Sequence, residues 1–144
     1  MRSLSLGSYP VIEATGIDHI VLRTTRLTEM LEFYVQVLGC QIERETEKAL
    51  GLTQLRAGNA LIDLVDVESN LGRKGGGAPT HQGNNMDHFC LQIKPLEEVE
   101  ICRCLEAGGI EVGEFTVRYG AGGFGRSLYI NDPEGNTVEI RCAG

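Results

Sequence analysis

His19 and His88 are the residues whose type and spacing most plainly suggest chemistry. His19 lies in IDHIVL (residues 17–22) and His88, 69 positions later, in MDHFCL (residues 86–91). Both segments read apolar, Asp, His, bulky apolar, small or apolar, Leu. A lone histidine on an apolar strand is by default a satisfied core residue, but recurrence in register favours a shared task. Imidazole nitrogens bind divalent first-row metals, and carboxylates complete such sets. Two carboxylates qualify: Asp63, between Ile62 and Leu64, and Glu139, between Val138 and Ile140.

Side chains alternate across a strand, so neighbours reveal the face of each candidate. Ile20 and Leu22 share one face with Asp18, while His19 shares the other with Ile17, Val21 and Arg23. Phe89, Leu91 and Ile93 likewise oppose His88, Cys90 and Gln92. The more apolar side is expected to pack on helices, which leaves both histidines on the concave side of a curved sheet. Asp63 and Glu139 face away from the helix layer by the same alternation. A carboxylate in a partly buried concavity is costly unless a cation meets it. No Lys or Arg recurs at these positions, so a divalent ion is the expected cation. Fe(II), Mn(II), Ni(II), Zn(II) and Co(II) all suit this donor set. Ser127 and Tyr129 oppose Leu128 and Ile130 and point into the same cup. Arg23, Gln54, Arg56 and Ser127 are the expected substrate-binding residues, and Arg141 is a weaker candidate for the wall.

The elements that must position these groups repeat as well, and a repeat constrains every later assignment. Each histidine strand is followed by a helical pattern, Leu27, Met30, Leu31, Tyr34 and Leu38 in the first half and Leu96, Val99, Cys102 and Leu105 in the second. Gly39 and Gly108-Gly109 are expected to end these helices in the left-handed conformation, and Pro95 suits the first turn of the second. Three strands are expected after each helix, over 41–47, 51–57 and 60–67 and over 111–118, 125–131 and 137–142. Gly58-Asn59 marks a tight hairpin and Asp132-Pro133-Glu134-Gly135 a turn. The expected fold class is therefore α+β, two βαβββ modules forming a curved, open-barrel mixed sheet with helices on the outer face. Module 1 spans about 15–68, a glycine-rich linker 69–85, and module 2 about 86–142. The segment 119–125, Tyr-Gly-Ala-Gly-Gly-Phe-Gly, precedes a strand and lacks a following Lys, so it reads as a mobile hairpin connection at the rim and not as a phosphate loop. His81 reads as a solvated loop residue, and Glu97, Glu98 and Glu100 as a solvated helix face.

The 144 residues, 42% hydrophobic, suffice for one core, so a single domain over 15–143 follows a tail over 1–14. No apolar run approaches the roughly 20 residues of a membrane span. The first residues hold one Arg and no continuous apolar stretch, which does not read as a secretory signal. A net charge of −7, with 13 basic residues scattered among 20 acidic ones, argues against nucleic acid and against a membrane surface as partners. The five cysteines are odd in number, and Cys102-x-Cys104 falls in a helical pattern. Reduced thiols in a cytoplasmic protein are the expectation.

The IDHIVL and MDHFCL strands, the helix end LEFYVQVLGC and GRSLYINDPEGNTVEI together resemble the vicinal oxygen chelate superfamily over about residues 15–142. That superfamily includes glyoxalase I, extradiol catechol dioxygenases, fosfomycin-resistance transferases and metal-free bleomycin-binding proteins. The resemblance implies one divalent metal ion (Ni, Zn, Co, Mn or Fe) held by His19, His88 and Glu139. It implies a homodimer, and a small-molecule substrate that chelates the metal through neighbouring oxygens. In glyoxalase I a further glutamate ligates from the end of the first module, where this chain has the shorter Asp63. In extradiol dioxygenases a tyrosine ten residues before the glutamate lies near the substrate, and Tyr129 has that spacing. The leading expectation is a lyase or isomerase of the glyoxalase type stabilising an enolate-like intermediate, with Glu139 or Asp63 moving a proton. The alternatives are an iron dioxygenase of the extradiol type, with Tyr129 at the substrate, and a metal-free binding (resistance) protein.

Overall fold

The computed structural model describes residues 10–142. Residues 1–9 of the expected tail lie outside the described residues, and residues 10–18 carry no regular secondary structure.

The chain is mixed α+β, with two four-stranded mixed sheets and no closed barrel. In module 1, β1 (His19–Thr24) leads through α1 (Leu27–Leu31) and a π-helical continuation (Glu32–Val37) to β2 (Gln41–Glu45), β3 (Leu52–Ala57) and β4 (Ala60–Asp66). Module 2 repeats this with β5 (Phe89–Ile93), α3 (Glu98–Ala107), β6 (Thr116–Gly120), β7 (Gly123–Asn131) and β8 (Thr137–Cys142). The strand orders correspond, β1-β4-β3-β2 and β5-β8-β7-β6. In each sheet the histidine-bearing end pairs parallel with the last strand of its module, and the other pairings are antiparallel. Among the described residues no helix is long and apolar enough to cross a membrane.

Alternation sorts the faces as expected. Leu22, Leu55, Ile62 and Leu64 in module 1 and Leu128, Ile130, Val138 and Ile140 in module 2 are buried on the helix side of their sheets. Together with Met30, Phe33 and Tyr34 of the first helix and Ile101 and Leu105 of α3 they form one continuous core. The modules therefore meet through their helix-facing layers. A buried hydrogen bond seals the junction, donated by the Tyr34 hydroxyl to Asp132 at 2.6 Å. Beside it, Glu134 accepts from the Thr24 and Thr25 hydroxyls and the Thr25 N–H.

Several local expectations need correction. The first helix widens into a π turn where two adjacent aromatics, Phe33 and Tyr34, are both buried edge-to-face at 4.8 Å. On α3 the buried stripe is Ile101 and Leu105, one turn apart, while Leu96 and Val99 stay exposed. Pro95 precedes that helix rather than opening it. Glu98 and Glu100 carry ion pairs, to Arg126 and Arg103. The linker contains a short helix, α2 (Asn70–Arg73), capped by the Ser69 hydroxyl. The segment 119–125 is mostly paired strand at the β6–β7 turn, and the strand expected over 111–118 runs over 116–120. Gly39 and Gly109 do adopt positive φ at the helix ends. Gly58, at φ 62, turns the β3–β4 hairpin.

Candidate functional site

The repeated register gives both sheets the same four-point arrangement on the face away from the helices. In module 1 Asp63 on β4 is flanked by Val21 on β1 and Gln54 on β3, with His19 two residues before Val21. In module 2 Glu139 on β8 is flanked by Cys90 on β5 and Tyr129 on β7, with His88 two residues before Cys90. Each histidine thus lies diagonal to a carboxylate because a parallel pair joins the first and last strands of its module.

The second group is the tighter. His88 Nε2 lies 3.2 Å from Glu139 Oε1, and His88 Nδ1 lies 2.7 Å from Asp87 Oδ2. A carboxylate only accepts, so Nδ1 carries the proton and donates, which turns the lone pair of a neutral ring's Nε2 toward another acceptor, Glu139. Two facing lone pairs need a shared proton or a cation between them. Donors each about 2.1 Å from a common ion sit roughly 3.0–3.4 Å apart, so the observed spacing fits a divalent metal. The Tyr129 ring meets His88 edge-on at 5.1 Å. Burial works against the Glu139 charge, yet the nearby Ser127 hydroxyl and Cys90 thiol, with the positive charges of His88 and Arg118, hold its carboxyl below the usual range. Burial and the same carboxylate push the Cys90 thiol up to about 11.

In the first group His19 Nδ1 lies 2.6 Å from Asp18 Oδ1, so its Nε2 is likewise freed. That hydrogen bond is the main cause raising the His19 pKa above its ordinary value, and Asp63 adds to it. The Asp63 carboxylate is buried, and both of its oxygens accept from the Gln54 amide at 3.2 Å. Arg44 donates in turn to the Gln54 amide oxygen.

The other expected residues have identifiable neighbours. Arg23 gives hydrogen bonds to the carbonyls of Gly72, Gly76 and Gly77, which braces the linker. Arg56 forms a two-pronged pair with Glu43. Ser127 accepts from Arg118 through both its carbonyl and its hydroxyl. His81 packs over Gly135. Among the described residues no three His, Cys, Asp or Glu side chains converge on a point. One chain therefore brings His88 to Glu139, whereas His19 lies diagonal to Asp63 and, among the described residues, pairs with Asp18 instead.

Three contributors escaped the sequence reading. Asp18 and Asp87 hold the imidazoles, and the Asp-His dipeptide repeated in both segments was the available signal. Arg118 lies with its guanidinium 4.3 Å from the Tyr129 ring centroid, a cation of the protein's own within reach of Glu139. It was hidden because the strand expected over 111–118 gave no sign of which face Arg118 occupies or that it lies over Tyr129.

The repeated sheet order, with a histidine and a carboxylate facing away from the helices in each half, defines the class to which comparison with known proteins assigns the chain. The model of the Glyoxalase/Bleomycin resistance protein/Dioxygenase superfamily matches residues 16–140, and the chain belongs to that superfamily. It is 33% identical over 127 residues to the virulence protein STM3117 of Salmonella typhimurium, covering 86% of this chain and 81% of that one. It is 26% identical over 130 residues to the catechol-2,3-dioxygenase of Bacillus subtilis, covering 89% of this chain but only 41% of that relative. Among solved structures, an integron cassette protein from the mobile metagenome of V. cholerae superposes with a TM-score of 0.71 at 24% identity, over 93% of this chain and 99% of that one.

Proposed function

We propose that the protein is a metal-dependent enzyme of the glyoxalase type whose site is completed by a second copy of the chain. The observation that carries this reading is the matched register of the two halves, in which each imidazole has Nδ1 held by its preceding aspartate and lies diagonal to a carboxylate, which His88 contacts at 3.2 Å. Two donors are too few for a divalent ion, which takes at least four ligands. A homodimer that sets His19 and Asp63 of one copy against His88 and Glu139 of the other would supply four. Exposure of His19, and of Val21 beside Asp63, suits such a contact. When bound, the metal would polarise two neighbouring oxygens of a small substrate. Glu139, next to the Ser127 hydroxyl and Cys90, would take up and return the proton moved between adjacent carbons. Asp87 and Asp18 would fix the tautomer and aim of the two rings. Gln54 would hold the shorter Asp63 carboxylate toward the site.

A second reading, an iron dioxygenase of the extradiol type, draws on the Tyr129 ring lying against His88. It differs in requiring iron and oxygen uptake on catechols, whereas the glyoxalase reading requires turnover of a hemithioacetal.

Complementation tests the shared site. His19→Ala and His88→Ala chains, each purified alone, should lose stoichiometric metal. Refolded together they should recover it in the mixed dimers, where one of the two sites keeps all its ligands. No recovery would refute sharing between copies, and a wild-type protein that takes up no metal would refute the whole reading.

A further inference from the structure

The second half-cup also holds positive charge for which the metal site has no use. Arg141 lies two residues past Glu139 on β8, hence on the same face, and is 7% exposed. The β6–β7 hairpin is shaped around its guanidinium: a Cβ at Gly120 or at Gly125 would collide with it. Its Nη2 donates to the Gly123 carbonyl at 3.0 Å, the one hydrogen bond it makes among the described residues. A guanidinium has five N–H donors, so most of this one is uncommitted. No buried side-chain nitrogen among the described residues lacks a partner, so those free donors are reachable from solvent. Arg118 occupies the same face of β6, opposite Gly125. It lies over Tyr129 and, among the described residues, its side chain donates only to Ser127. The arginine ion pairs of the described residues are Arg56–Glu43, Arg103–Glu100 and Arg126–Glu98, and neither Arg118 nor Arg141 belongs to one.

A buried guanidinium without a counter-ion is unfavourable, and the cost falls when an anion arrives. If Glu139 and Asp63 offset a divalent metal, as in the function proposed above, the two arginines are left without balancing charge. The charge argument rests on that reading, while the packing of the arginines stands without it.

We propose that Arg118 and Arg141 form an oxyanion-binding pocket in the second half-cup, so that the substrate carries a carboxylate or a phosphate-type group beside the atoms that chelate the metal. The planar donor fork of a guanidinium matches both groups. The competing account is that the arginines only brace the hairpin, and ligand binding separates the two.

Metal-free protein would be titrated with malonate, with inorganic phosphate and with neutral malonamide, following the arginine side-chain resonances by NMR and the thermal midpoint. At least one anion should shift the Arg118 and Arg141 signals and raise the midpoint, and malonamide should do neither. A response to malonate alone identifies a carboxylate, and to phosphate alone a phosphate-type group. Arg118→Met should weaken anion binding at least tenfold. Gly125→Ala, which displaces the Arg141 guanidinium but keeps its charge, should weaken it as well and stands in for Arg141→Met if that variant does not fold. Silence toward both anions, an equal response to malonamide, or full affinity in Arg118→Met would each overturn the proposal. Anion binding in a protein that takes up no metal would leave this pocket standing and remove the metal site, and the reverse result would do the opposite.

Discussion

The two half-cups share one register and differ in what surrounds the carboxylate. In module 1 Asp63 is short, and its neighbour Gln54 holds it through a neutral amide. Of the arginines of that face or its edge, Arg23 is committed to linker carbonyls and Arg56 to Glu43, while Arg44 reaches the carboxylate only through the Gln54 amide. In module 2 the longer Glu139 reaches His88 and is surrounded by Ser127, Cys90, Tyr129 and Arg118. The two equivalent frames thus diverge at a few facing positions, which leaves an amide-held carboxylate in one half and a carboxylate paired with an imidazole in the other. The turns diverge too. Module 1 closes β3–β4 with two residues, whereas the Asp132–Asn136 turn of module 2 reaches across to Tyr34, Thr24 and Thr25.

That contrast can be broken at several points. The largest effect is expected at the aspartates that orient the rings. Asp87→Ala should lower metal affinity by about 10- to 100-fold, and Asp18→Ala by a similar factor, in isothermal titration of purified protein. A loss confined to Asp87 would show that only the second half-cup binds metal, and the equivalence would fail. Next, Tyr34→Phe removes the buried donor to Asp132 and should destabilise the fold by about 1–3 kcal/mol in urea unfolding. An unchanged midpoint would mean that the module 2 turn does not tie the halves together.

The smallest effect sharpens the electrostatic side. The Asp18 bond raises the His19 pKa, so in the metal-free protein His19 should titrate above the ordinary histidine value of 6.5 by NMR. Asp18→Asn should bring the midpoint down. By linkage, a raised pKa means that the Asp18 contact stabilises the fold fully below the unfolded value of 6.5 and that this contribution fades as pH rises through the folded value. Protons and metal compete for the same ring, so metal uptake should weaken as pH falls through that range. A midpoint that does not move in Asp18→Asn would remove the aspartate from its assigned role.

What the sequence determined by itself was whatever repeats locally. The IDHIVL and MDHFCL copies, the strand alternation and the helix-ending Gly39 and Gly109 foretold two βαβββ modules with His19, His88, Asp63 and Glu139 facing away from the helices, because strand and helix periods are properties of neighbouring residues. Tertiary structure decided the rest. The role of Gly120 and Gly125 was hidden because the sequence does not display the Arg141 guanidinium that leaves no room for a Cβ at either position. Leu96 and Val99 looked buried because a helical stripe does not say which part of it meets a sheet. The separation of the two half-cups within one chain follows from how the modules dock through Tyr34 and Asp132, contacts 98 positions apart that no local pattern encodes.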